Sequence, residues 1–328
     1  MPASVSSLVR AVEGTRPVVE VDQRGLCELV QVLSVLPDAR RAQGRRFALA
    51  VLLALAVAAV VAGARSYRVI TEWAGDLHEP LLVRFGAGRG APSMATIRRA
   101  VLGVDADLLD AVWTAWVAAR ASRAPAPAQL VALAVDGKTV RGARRGDGRA
   151  PHLVAAVDHS TGVVHGQVAV DAKSNEITAF IPLLDRIDLT GVVITADAMR
   201  TQDGHARYLH RRGGHYLFIA KANRPTLLRE LTALPWGAVK IAFTCTNTGH
   251  GRVETRSIKV VIPPRPLSFP HARQAIRLQR RRRLRGGATQ VETIYAITDL
   301  DFDQASPAQL EHLIRGHWSI EVRHEVAL

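Results

Sequence analysis

Two aspartates give the first chemical signal in this chain. The apolar run Leu130–Val135 leads directly into Asp136, and Gly191–Ala196 repeats the pattern into Asp197. Short apolar runs closed by a turn residue read as buried strands, and strand ends are where sites in α/β sheets form. Asp136-Gly137 alone reads equally well as a hairpin turn; its recurrence at Asp197 turns the reading toward a site. Two carboxylates brought together away from water repel one another. A divalent cation removes that conflict, and Mg²⁺ prefers oxygen ligands, typically one or two carboxylates plus substrate phosphate. A pair of such ions about 4 Å apart activates a nucleophile and stabilises the leaving oxygen of a phosphodiester. A third acid is offered near the C-terminus. Ser306-Pro307-Ala308-Gln309 is a helix start, after which Leu310, Leu313, Ile314, His317 and Glu321 fall along one stripe. A glutamate on an apolar stripe, beside Trp318 and Ile320, is unusual for a merely solvated residue.

These residues need a scaffold that makes them converge. After a proline-bearing linker, Ala121–Gln129, the order is strand, a basic glycine-rich loop at Arg141–Arg149, then strands at His152–Val157 and Val163–Val170. A helix at Glu176–Ile187, the strand ending in Asp197, a polar helix at Thr201–Arg212 and a strand at His215–Ala220 follow. In a sheet led by a three-strand meander, a crossover helix lays the fourth strand parallel to the first and beside it. Asp136 and Asp197 then meet, in the arrangement of an RNase H-like nuclease core. Between Lys221 and the last helix lie about 85 residues with strand-like alternation at Ala238–Thr246, Arg252–Ile262 and Val291–Thr298. This insertion carries Arg273, Arg277, Arg280, Arg281, Arg282, Arg283 and Arg285. The run reads either as an exposed hairpin tip ending at Gly286-Gly287 or as a grip on phosphates.

Upstream of the linker the pattern is helical throughout: Leu26–Leu36, Phe47–Ala62, Ser66–Trp73, Ser93–Leu102 and Asp105–Ala119. Phe47–Ala62 imitates a membrane span, but at 1.5 Å per residue it reaches roughly 24 Å, short of the roughly 30 Å hydrocarbon core, and it reads as a buried helix. Arg40, Arg41, Arg45, Arg46, Arg98 and Arg99 form either a solvated face or a DNA contact. The 328 residues carry 43 Lys plus Arg against 29 Asp plus Glu, a net charge of +14 that favours a polyanionic partner. Cys27 and Cys245 form neither a disulfide framework nor a paired zinc spacing, including Cys245 with His250. A cytoplasmic protein without a membrane span is expected.

From about Pro37 onward the chain resembles the H-repeat-associated, ISAs-type DDE transposases of bacterial insertion sequences. The resemblance rests on LPDARRAQGRRF, ITEWAG and PSMATIRR, then VDGKTVRG, HLVAAVD, AKSNEITAFIPLLDRIDLTGVVITADAMRTQ and HYLFIAKANRP, and finally GHGRVETR, ETIYAITDL and LIRGHWSIE. They stand in family order across most of residues 37–321. The resemblance implies an α/β, RNase H-like DDE core at 126–328, interrupted by the β-rich, Arg-rich insertion at about 235–300 and preceded by an all-helical, transposase-associated domain at 1–125. It implies cleavage and strand transfer of DNA by two-metal phosphoryl transfer, with Asp136, Asp197 and Glu321 as catalytic ligands of two Mg²⁺ or Mn²⁺ ions. Lys138, Lys173, Asn175, Arg200 and Lys221 would line the DNA path, with Arg141, Arg280, Arg281, Arg282 and Arg283 as further DNA-binding candidates. The partners would be double-stranded DNA, at element ends and target, and a second copy in a DNA-bound homodimer. The protein would then be nucleoid-associated. Family members continue after the glutamate with an Asn and a Leu-His-Trp segment, whereas here Val322–Leu328 follow, which reads as a C-terminal truncation that weakens the anchoring of Glu321. Two alternatives stand beside the working enzyme: a catalytically dead DNA-binding remnant, and an RNase H-like nuclease without strand transfer.

Overall fold

A computed structural model describes residues 23–121, 130–140, 150–170, 176–249, 252–283 and 287–326. The chain divides into two units, Met1–Ala124 and Pro125–Leu328.

The first unit is built around one apolar helix. Its described helices are α1 (Gln23–Leu33), α2 (Leu49–Val61), α3 (Tyr67–Gly75), α4 (Glu79–Phe85), α5 (Met94–Gly103) and α6 (Ala106–Ala121). A helix that is apolar all round must be covered all round. Leu52, Ala54, Leu55 and Ala59 of α2 are fully buried, among Leu33 of α1, Ile70 of α3, Phe85 of α4 and Ile97 of α5. Ser66 and Ser93 cap α3 and α5 by accepting from the amides of Val69 and Thr96. Ala42–Val61 is the one stretch among the described residues that is long and apolar enough for a membrane span, with 56% of it buried. Its α-helical part has 13 residues, about 20 Å long, and forms the centre of this core. Arg40 and Arg45 serve a local purpose. Arg40 pairs with Asp38 at 2.7 Å and donates to the Phe47 carbonyl, while Arg45 donates to the carbonyls of Arg40 and Asp38.

The second unit is one nine-stranded mixed sheet with helices on both faces. Its strands are β1 (Ala132–Thr139), β2 (His152–Asp158), β3 (Val164–Val170), β4 (Val193–Ala196), β5 (His215–Ala220), β6 (Phe243–Gly249), β7 (Arg252–Val261), β8 (Gln274–Arg283) and β9 (Thr289–Thr298). They lie in the order β3-β2-β1-β4-β5-β9-β8-β7-β6. The first three form an antiparallel meander; β4 lies parallel to β1, with Val135 opposite Ala196, and β5 lies parallel to β4. The strands between Lys221 and the last helix extend this same sheet, because β9 pairs antiparallel with β5.

Side-chain alternation along the strands separates two cores. Leu133, Val135, Ile194, Ala196, Tyr216 and Phe218 face Phe180 and Leu183 of α7 (Glu176–Leu184), Leu209 of α8 (Asp203–Arg211) and Leu227 of α9 (Pro225–Thr232). Ala132, Val193, Leu217 and Ile219 face Leu310, Leu313 and Ile314 of α10 (Pro307–Val326), together with Ile258, Ile276 and Leu278 from the extended part of the sheet.

Three sequence expectations change. Asp136 does not close its strand, because β1 continues to Thr139; it lies at the first position beyond the β1–β4 pairing. Asp136-Gly137 is therefore not a hairpin turn: the pairing with β2 holds both residues in an extended ladder. The described part of the arginine run is not a hairpin tip either, and Arg285 lies outside the described residues. Arg280–Arg283 form the end of β8, paired on both sides, with Glu254 opposite Arg282 on β7 and Glu292 opposite Arg280 on β9.

Candidate functional site

Register and alternation bring the two aspartates together. Val135 and Ala196 are partners across the parallel pair, so the next residues, Asp136 and Asp197, are neighbours at the carboxyl edge of β4. By alternation Asp136 follows Ala132 and Ala134, and Asp197 follows Val193 and Thr195, on the face that α10 covers. Asp136 is mostly buried, with a side chain 12% exposed, against 41% for Asp197. Asp197 also caps the short 3-10 turn Ala198–Arg200, accepting from the Arg200 amide.

A guanidinium lies against both carboxylates. Arg200 Nη1 is 3.1 Å from Asp197 Oδ1 and 4.0 Å from Asp136 Oδ1, and its Nη2 pairs with Glu176 Oε2. Arg200 is the largest fully buried side chain described. A side chain wholly removed from solvent does not line a DNA path, so the expected role of Arg200 is corrected: it is an internal counter-charge. The chain of bonds continues outward. His152 donates from Nε2 to Glu176 Oε1 at 2.7 Å, and its Nδ1 shares a hydrogen bond with the Thr139 hydroxyl at 2.8 Å. The Arg200 carbonyl is held at 2.8 Å by His205 Nδ1, whose ring stacks on Phe180. Gly137 explains itself here. A Cβ at this position would come within 2.5 Å of the Glu176 carboxylate and 2.8 Å of Arg200 Nη2, so only glycine lets the pair close over β1.

α10 approaches from the opposite face along β4. His317 is buried, and its Nδ1 is 3.2 Å from the Thr195 hydroxyl, which is 2.8 Å from His159 Nε2 on its other side. Burial pulls both imidazoles down from their ordinary value of 6.5, His317 to about 3 and His159 to about 4, so both are neutral near pH 7. Gly316 packs directly on the His159 ring, where a Cβ has no room. Thr195 lies two residues before Asp197, and Glu321 lies one helical turn beyond His317. The side chain of Glu321 lies outside the described residues, as do Arg141, Lys173 and Asn175. Upstream of position 321, α10 is anchored by further contacts. Beyond the His317 contact, Arg280 lies 5.5 Å over the Trp318 ring, and Glu311 accepts from Cys245 Sγ at 3.3 Å and lies 3.9 Å from Arg256.

The remaining candidates separate by strand parity. Lys138 is half-buried on β1, and Lys221 is exposed just past β5, at the same sheet edge as Asp197. On β8, Arg280 and Arg282 turn inward to the buried Glu254, at 3.3 and 3.2 Å, with Arg256 completing the cluster. Arg281 and Arg283 are exposed on the other face. The sequence run thus divides into an internal pair and an outward pair.

The two aspartates were visible in the sequence; Glu176, His152 and Thr139 were not. Glu176 opens α7, where an acid is ordinarily explained by the helix dipole, and nothing local marks it as a partner of Arg200. Gly137, directly after Asp136, was the one available clue, since a glycine inside a strand marks close approach by another group.

Among the described residues no three His, Cys, Asp or Glu side chains form a metal-binding group. The donors present nevertheless fit part of one. Asp136 Oδ2 is buried without a hydrogen-bond partner, and a buried carboxylate oxygen left unsatisfied is costly unless a cation takes it.

Comparison with known proteins shows the family. The family profile described as Transposase DDE domain matches residues 127–326, and the profile described as DDE_Tnp_1-associated matches residues 30–117. "Putative transposase YncI" of Escherichia coli O157:H7 is 30% identical over 310 residues, covering 89% of this chain and 77% of that protein. "H repeat-associated putative transposase YbfD" of Escherichia coli K12 is 30% identical over 246 residues, covering 70% of this chain and 92% of that protein. An uncharacterized protein encoded in the dhlA 3' region of Xanthobacter autotrophicus is 34% identical over 237 residues, covering 69% of this chain and 78% of that protein. A chain of a solved piggyBac transposase synaptic complex with hairpin DNA aligns over 92% of this chain and 65% of its own length, at 7% identity and a TM-score of 0.38.

Proposed function

Because this chain belongs to the H-repeat-associated branch of the DDE transposase family, we propose that it cuts and joins DNA strands at the edge where the β1–β4 pairing ends. Asp136, Asp197 and Glu321 are the residues that would hold divalent cations there. Bound Mg²⁺ or Mn²⁺ supplies Lewis acidity to a phosphodiester and lowers the pKa of attacking water or a DNA 3′-hydroxyl. The observation that carries the reading is that Asp136 and Asp197 each directly follow the last β1–β4 pair, Val135 with Ala196, with Asp136 Oδ2 buried and unsatisfied. The strand order of β1–β5 supports an RNase H-like core, in which β6–β9 are the insertion before the last helix.

The chain's own residues divide the work. Asp136 is fixed by the β1–β2 ladder and Asp197 by its cap on the Ala198–Arg200 turn, so neither carboxylate has to be ordered when substrate arrives. The rise of one helical turn from His317 supports the delivery of position 321 to the same edge. Lys221, exposed at that edge, meets phosphate oxygens, and Arg281 and Arg283 hold the duplex farther along the sheet. Double-stranded DNA is the substrate, engaged by paired copies of the chain.

Nicking of supercoiled plasmid by the purified protein tests this reading. Cleavage that requires Mg²⁺ or Mn²⁺ and disappears in Asp136→Ala is the expected result. Folded, DNA-binding protein that does not nick favours the inactive remnant, and nicking without joining of ends favours a simple nuclease.

A further inference from the structure

Two charged groups, Arg200 and Glu176, meet behind the candidate ligands, and metal binding accounts for neither. Arg200 is fully buried, spans from Asp197 and Asp136 on one arm to Glu176 on the other, and cannot reach solvent or DNA from there. Glu176 is equally buried and is fixed by the His152–Thr139 relay and by its seat over Gly137. Such a pair is costly to bury unless each charge is compensated, and the arrangement puts a positive charge where a dication would also be drawn.

We propose that Arg200, held in place by Glu176, is a built-in counter-cation of the Asp136–Asp197 pair that sets how tightly the site takes a divalent ion. Arg200 and Glu176 are positioning residues. This inference rests on the reading of Asp136 and Asp197 as cation ligands. Arg200 prevents the two carboxylates from repelling one another before metal arrives. It also weakens metal binding, because a dication entering beside it meets like charge at short range in surroundings of low polarisability. Glu176 acts with the opposite sign, since its carboxylate shares the guanidinium charge and leaves less of it for the aspartates.

The two signs separate the proposal from simple scaffolding. Mn²⁺ binding to the full-length protein is read by electron paramagnetic resonance of free Mn²⁺, without DNA and without turnover, in wild type, Asp136→Asn, Arg200→Met, Arg200→Lys and Glu176→Gln. The melting temperature of each variant establishes that it is folded. The expected result is Mn²⁺ binding about tenfold tighter in Arg200→Met and severalfold weaker in Glu176→Gln. Arg200→Lys keeps the charge and falls between wild type and Arg200→Met. If Arg200→Met does not fold, Glu176→Gln and Arg200→Lys carry the test. Affinity unchanged in all three Arg200 and Glu176 variants, or weakened in every one, overturns the proposal, provided Asp136→Asn abolishes binding and so upholds the ligand reading. Wild type that binds no Mn²⁺, or Asp136→Asn that binds it equally well, overturns both.

Discussion

Gly137 shows how far a single position is determined by what packs on it. Alanine there puts a methyl group into the Glu176–Arg200 pair. The expected outcome is a loss of about 1–3 kcal/mol in urea unfolding, together with loss of plasmid nicking, because displacing Arg200 moves both aspartates. The neutral histidines make a second prediction. His317 and His159 are depressed by burial to about 3 and about 4, while the unfolded chain binds their protons near 6.5. As pH falls below about 6.5 the unfolded state therefore takes up protons that the folded state refuses. Stability contributed by these groups is full above that pH and is lost progressively toward pH 4, by at most about 1.4 kcal/mol per pH unit for each histidine. Urea unfolding from pH 7.5 to 5 should show a shallower pH slope in His317→Leu than in wild type; an unchanged slope would mean that His317 does not contribute. The sequence could reveal Asp136 and Asp197 because each ends a local apolar run. It could not reveal Glu176 as the partner of Arg200, since that pairing exists only after α7 and the Ala198–Arg200 turn have folded onto β1.

The strand β8 carries the clearest lesson about elements. In sequence, Arg280–Arg283 is one basic block; in the sheet it is two faces. Arg280 and Arg282 neutralise Glu254 beside α10, whereas Arg281 and Arg283 face outward. Double substitution of Arg281 and Arg283 by alanine should weaken binding to duplex DNA uniformly across sequences and lower the salt slope by about 2, with stability unchanged, as measured by fluorescence anisotropy against salt. Double substitution of Arg280 and Arg282 should instead destabilise the fold, because Glu254 keeps only Arg256 in a buried site. Equal effects of the two pairs on DNA binding would contradict the division. Periodicity identified β1 to β5 and α7 from their apolar runs, and α8 was readable as a polar stretch stopped by Gly213-Gly214. Periodicity missed α4 and α9, which are short and carry a proline in the first turn, and β8, whose charge hides its alternation. The start of α10 was readable from Ser306 and Gln309, which hydrogen-bond each other as a capping box.

Taken whole, the chain is a strongly basic protein of net charge +14 whose second unit is one continuous mixed sheet. The charge bias was readable from composition and pointed to a polyanion. That the residues after Lys221 join the same sheet through β9 was not readable, because the pairing of β9 with β5 links segments about 80 residues apart. If six or more phosphates are contacted, affinity for duplex DNA should fall at least about 10³-fold between 50 and 200 mM salt. The central claim is that Asp136 and Asp197 share a divalent cation at the edge of β1 and β4. Anomalous diffraction from crystals soaked in Mn²⁺ tests it most directly. The expected result is a manganese peak in coordination distance of both carboxylates, about 2.0–2.3 Å from each, that disappears in Asp136→Asn. A well-ordered crystal with no peak at that edge, or with manganese bound only elsewhere, would contradict it.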